Sequence, residues 1–137
     1  MPSSDIDRLS AEDATLDDDV TDDESSGLDD DVAACLEALN DCADACDRCA
    51  SACLDEEDVA AMVRCIALDM DCATVCRATA ALLARESTHA EALCALCADL
   101  CRDCGKECGR HDVEHCQTCA EACRQCAEAC AAMAADA

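Results

Sequence analysis

A chain of 137 residues has room for one domain, and with no Trp, Tyr or Phe its core must come from Cys, Ala, Leu, Val and Met. A formal charge of -24, from 33 acidic residues against nine basic ones, leaves nothing to neutralise phosphates and excludes a nucleic-acid partner. No apolar run approaches the length of a membrane span and no signal peptide is visible, so the expected setting is the cytosol, with no membrane partner.

Residues 1–29 are acidic, with several Ser and Thr and few large apolar groups, and read as a disordered or loosely helical tail. The near absence of Lys beside so many acids suits a halophile's cytoplasm, where salt screens the self-repulsion of an acidic surface. Residues 30–137 divide into four helical stretches. The first is predicted from about Asp30 to Leu54, with Asp29, Asp30 and Asp31 at the positive end of its dipole. Asp55, Glu56, Glu57 and Asp58 form a turn that caps the second helix, expected to reach about Arg85. Thr88 and Glu91 have the spacing of a capping box for the third, and Gly109 is placed to end it as a left-handed C′ residue. His111 and Asp112 turn the chain into a fourth helix over about Val113–Ala135. Short connections force antiparallel neighbours, so the expected fold is all-α, an up-down-up-down four-helix bundle.

What lines that bundle is the informative feature. Cys94, Cys97, Cys101, Cys104 and Cys108 are spaced 3-4-3-4, and Cys116, Cys119, Cys123, Cys126 and Cys130 repeat the register. Cys42, Cys46, Cys49 and Cys53 run 4-3-4 with Cys35 seven residues upstream, and Cys65, Cys72 and Cys76 run 7-4. Such spacings stack side chains on one face of a helix, and that face is normally the buried seam. A Cys-dense short chain is often a disulfide scaffold, but thiols three or four apart on one helix project in similar directions, which strains a disulfide. Beside the thin thiol stripe of the second helix lie Val59, Val63, Ile66, Met70 and Ala73, and the third helix carries Leu93, Leu96 and Leu100. These either fill gaps beside the core or form an oligomer interface.

A seam of thiols fits soft, monovalent copper, which two or three thiolates satisfy. If each Cu(I) takes two thiolates and each thiolate bridges two ions, cysteines and ions are equal in number, giving ~18 ions per chain. Zinc prefers closed four-ligand sites, which a continuous ladder does not readily supply. The bacterial cluster-binding run C-x₂-C-x₂-C-x₃-C-P is absent, since the only proline is Pro2. The competing readings are an iron–sulfur electron carrier and a general zinc or cadmium buffer. No thiol stands out as a nucleophile and no substrate pocket is suggested, so the chain is not read as an enzyme.

The segment Cys104-Gly-Lys-Glu-Cys108-Gly-Arg-His111-Asp-Val-Glu-His115-Cys116, continued through Cys119, Cys123, Cys126 and Cys130, resembles the signature of the four-helix-bundle copper storage proteins. The resemblance covers about residues 30 to 135 and is to a cytosolic member. It implies a bundle with inward cysteines, multinuclear Cu(I) storage and a homotetramer, with the copper donor or acceptor left open. It also implies that His111 and His115 bind ions at the entrance; the alternative makes His111 a turn residue and His115 a first-turn residue. Met62 is read as core and His89, at the other end, as exposed.

Overall fold

The computed structural model describes residues 26–135, with side chains from residue 30 onward. Helix α1 spans Ser26–Leu54, α2 Val63–Ala84 after a 3-10 turn at Val59–Met62, α3 Ala90–Gly109 and α4 Glu114–Ala135. The first helix therefore begins four residues earlier than its acidic cluster suggested; the rest of the expected tail lies outside the described residues. No helix among the described residues is long and apolar enough to cross a membrane.

The four helices run alternately up and down. Cys42 of α1 places its sulfur 3.8 Å from Cys72 of α2, 3.9 Å from Cys101 of α3 and 3.7 Å from Cys123 of α4, so each helix turns its cysteine stripe to one axis. Near one end of that axis Cys49 meets Cys65 and Cys116, and toward the other Cys76 meets Cys97 and Cys126. Antiparallel order is what lets late residues of α1 and α3 meet early residues of α2 and α4.

Close approach is licensed by small neighbours. Ala43, Ala50, Ala73, Ala98 and Ala127 each follow a cysteine directly and are buried. A methyl group at that flank keeps the interhelical distance short while favouring helix. Gly105 serves the α3–α4 contact: a Cβ there would stand 3.3 Å from Cys123 Cβ and 3.6 Å from the Ala120 carbonyl oxygen. The turn after α3 is tied by Gln117, whose Nε2 donates to the carbonyls of Gly109 at 3.2 Å and His111 at 2.7 Å.

Two expected caps form differently. Thr88 and Glu91 make no capping box; α3 starts after His89, whose backbone N–H donates to Ser87 Oγ at 3.0 Å. Gly109 is helical, with no positive φ at any described glycine, because α3 continues through it and Gln117 takes its carbonyl. The left-handed residue is Glu86, at φ 58, just beyond α2. There the Ser87 and Glu86 N–H groups donate back to Leu82 and Leu83 as a helix-ending pair.

Candidate metal centre

All eighteen cysteines are buried and free of disulfides. The stripes read from the sequence therefore all face inward, and they merge into one sulfur column. Along one helix the i,i+4 pairs stand 3.9–4.0 Å apart at sulfur, as in Cys42–Cys46, Cys72–Cys76 and Cys104–Cys108. Across helices the separations are as short or shorter: 3.4 Å for Cys65–Cys108, 3.5 Å for Cys72–Cys101 and 3.6 Å for Cys76–Cys97. Cys35 faces Cys130 and Cys94 toward the end remote from His111 and His115.

The column does not break into isolated sites. Cys42, Cys76, Cys101 and Cys126 have their ligand atoms within 4.8 Å of one another; so do Cys42, Cys46, Cys72 and Cys123, and so do Cys46, Cys104, Cys119 and Cys123. Cys42, Cys46 and Cys123 each belong to two of these sets. A sulfur shared between neighbouring sets is placed to bridge two metal ions.

At one end the column meets imidazole. Cys49, Cys53, Cys116 and His115 form a further set, with His115 Nδ1 at 3.7, 4.0 and 3.6 Å from the three sulfurs. His111 is placed otherwise. Its Nε2 lies 3.0 Å from Glu107 Oε2, and its ring makes no hydrogen bond to a sulfur among the described residues. Glu107 is buried, and also takes Arg110 at 2.9 Å and Arg64 at 3.5 Å. The two histidines thus share the end of the bundle but not the same neighbours. Met62 is buried there as core, and His89 is exposed at the opposite end.

The column holds its thiols neutral where burial dominates. Desolvation pushes Cys53 up to about 11, helped by charge on Cys65, and Cys94 up to about 11, helped by Cys35. Cys116 moves in the same direction for the same first cause. Neutral thiols pack as small apolar groups, and loading must expel their protons.

The cysteine pattern does not itself name the groups that fill its gaps. The seven-residue step from Cys35 to Cys42 is filled by Leu39, and that from Cys65 to Cys72 by Asp69, both fully buried. Thr79, three beyond Cys76, is also fully buried and donates to the Val75 carbonyl at 2.7 Å. A gap of seven in a 3-4 stripe marks an unseen core position, and that signal points to residue 69 or its neighbour. Asp69 is met by four thiols, and burial followed by charge on Cys119 pushes its carboxyl up to about 8.

Comparison with known proteins gives one consistent answer. A family model described as "Csp: Copper storage protein" matches residues 28–135. The uncharacterized cysteine-rich protein YhjQ of Bacillus subtilis (strain 168) is 47% identical over 87 residues, covering 64% of this chain and 81% of the relative. The Cu(I)-bound copper storage protein BsCsp3 superposes with a TM-score of 0.73 at 45% identity, covering 76% of this chain and 98% of that one. A cytosolic copper storage protein from Streptomyces lividans, loaded with five coppers, gives a TM-score of 0.75 at 47% identity, covering 77% and 93%.

Proposed function

The chain belongs to the copper storage protein family, and from that premise we infer that its sulfur column stores and buffers many Cu(I) ions as bridged thiolates. The observation that carries this reading is the sharing of Cys42, Cys46 and Cys123 between adjacent four-sulfur sets. Copper(I) is content with two or three thiolates and tolerates bridging, so a column of shared sulfurs fills continuously. Zinc and iron–sulfur centres want discrete four-ligand sets closed off from one another. The general zinc or cadmium buffer and the electron carrier are therefore the poorer fits.

The proposed ligands are the eighteen cysteines with His115 at the mouth, and His111 as a weaker participant. Eighteen thiolates and as many monovalent ions cancel in charge, which keeps a loaded interior neutral. The function is sequestration, with no turnover required. A cytosolic setting is supported by the Streptomyces lividans relative, which is a cytosolic protein, and by eighteen thiols that must stay reduced. Self-association is supported by Val63 and Met70 on α2 and Leu96 on α3, which remain exposed, whereas Ile66 and Leu100 pack against the core. The expected assembly is a homotetramer, to be read by light scattering.

Anaerobic titration of the reduced protein with Cu(I) against a competing chelator tests the central claim. Saturation is expected at ~18 ions per chain from the two-thiolate preference. A plateau at roughly one to four ions, the capacity of one or a few closed sites, would sink the storage reading.

A further inference from the structure

One skipped position in the cysteine stripes carries a carboxylate. Asp69 is fully buried, and among the described residues its carboxylate is met by thiols alone. Its Oδ1 accepts from Cys104 at 3.2 Å, from Cys108 at 3.4 Å and from Cys119 at 3.4 Å. Its Oδ2 turns the other way, to Cys65 at 3.8 Å. A carboxylate oxygen is a poorer partner for soft Cu(I) than the thiolates around it.

The same geometry suits a harder ion. In a tetrahedral zinc site with metal–sulfur bonds of about 2.3 Å and a metal–oxygen bond of about 2.0 Å, sulfurs stand about 3.8 Å apart and sulfur–oxygen edges are about 3.5 Å. Cys104 and Cys108 are 3.9 Å apart, the sulfur–oxygen edges are 3.2 to 3.4 Å, and Cys104 and Cys119 lie within 4.8 Å. These ligands come from α2, α3 and α4, so the helix packing fixes their positions before any metal arrives.

We propose that Asp69, Cys104, Cys108 and Cys119, rather than the set Asp69 also makes with Cys49, Cys53 and Cys65, form a built-in site for a borderline divalent cation of the zinc type, set within the copper column. Binding forms three metal–sulfur bonds and one metal–oxygen bond and releases the three thiol protons, with that of the carboxyl where it is held, to solvent. The excess negative charge on the ligands is met by neighbouring thiols that can donate to them: Cys46 lies 3.6 Å from Cys119, and Cys65 3.4 Å from Cys108. The site goes beyond the storage reading and needs from it only that these cysteines become thiolates.

The experiment is an anaerobic titration of reduced, metal-free full-length protein with Co²⁺, a visible stand-in for Zn²⁺. It is run on the wild type, on Asp69→Asn and on Asp69→Cys, with circular dichroism on each. In the wild type a first equivalent is expected to give tetrahedral ligand-field bands and thiolate charge transfer, both erased by one equivalent of Zn²⁺. Asp69→Asn should weaken that equivalent by roughly tenfold or more, about 1.4 kcal/mol. Asp69→Cys should keep it and raise the charge-transfer intensity by about a third, as a fourth thiolate replaces oxygen. Identical cobalt spectra and affinities in all three proteins would overturn the proposal, as would a wild type that loads Cu(I) but takes no Co²⁺. Should the Asn variant be unfolded, the Cys variant decides alone. Copper titration of the same wild-type sample keeps the two claims apart, since low copper capacity counts against storage and leaves the cobalt result standing.

Discussion

His115 Nε2 lies 2.9 Å from Glu56 Oε2, joining the start of α4 to the turn after α1. An ionised carboxylate only accepts, so the ring proton sits on Nε2 and the lone pair of Nδ1 faces the sulfurs of Cys49, Cys53 and Cys116. The partner on the outer nitrogen thus sets the tautomer that leaves the inner one free to accept a metal ion. His111 Nε2 pairs instead with Glu107 Oε2, at 3.0 Å.

The two histidines should therefore separate kinetically. His115→Ala is expected to slow Cu(I) uptake from a chelated donor, while capacity falls by only about one or two ions because nearly all ligands remain. His111→Ala should have a smaller effect, and Glu56→Gln should fall between them by loosening the imidazole. Stopped-flow loading of the single variants and the double variant decides it. Equal slowing by both single variants would contradict the distinction, and unchanged rates in the double variant would make both residues simple parts of the turn.

The stripe that builds the core was legible because a helix converts spacing directly into direction. Steps of three and four put every cysteine on an inward face, and each is buried. What spacing alone does not give is the chemistry of a skipped position. Leu39 and Asp69 occupy equivalent gaps, yet one is inert filler and the other a carboxylate among thiols. An acid in so acidic a chain reads as surface until the register is extended through it. The ends were less legible for a related reason. Caps depend on which of several competing polar groups reaches the backbone, so no side chain caps α3 where Thr88 was expected, and the left-handed residue stands at Glu86 after α2 rather than at Gly109 after α3. The roles of His111 and His115 hinge on carboxylates brought from Glu107 and from Glu56, and the second comes from across the bundle.

The metal-free, reduced chain should already be helical and folded. Its core of cysteines, Leu39 and buried alanines is complete without an ion, so burial rather than coordination holds the helices together. Far-ultraviolet circular dichroism before and after copper should show nearly the same helix content, with thermal stability rising as salt screens the -24 charge. A coil that turns helical only with copper would contradict a preformed column.

Stability without metal should fall at alkaline pH. Cys53 and Cys94 are raised in the fold to about 11 from an ordinary value of 9.0. The contribution of such thiols is complete below about pH 9 and is lost as the pH climbs through about 11, because the unfolded chain releases its protons first. The melting temperature of the reduced apoprotein should hold steady up to about pH 9 and then decline. The copper-loaded protein should decline less steeply, since its thiols have already lost their protons to the metal. A melting temperature that rises across this window would reverse the sign and reject the neutral-thiol account.

The α3–α4 contact gives a mechanical test of the same column. Gly105 leaves room for Cys123, whose Cβ would lie 3.3 Å from an added methyl carbon, whereas at Gly109 the nearest atom, Ala120 Cβ, is 4.0 Å away. Gly109→Ala meets only ordinary contact and gains helix propensity, so it should stabilise the apoprotein, by at most about 1 kcal/mol. Gly105→Leu must push α4 outward and should cost about 1–3 kcal/mol by overpacking. The displacement also has a functional reading, because Cys123 belongs to two of the overlapping sulfur sets. Moving it should lower copper capacity as well as stability, while Gly109→Ala leaves capacity unchanged. Denaturant unfolding and Cu(I) titration of the two variants supply both readouts. If Gly105→Leu kept full capacity and stability, the close approach of α3 and α4 would not be what holds the sulfurs of Cys123 and its neighbours in bridging range.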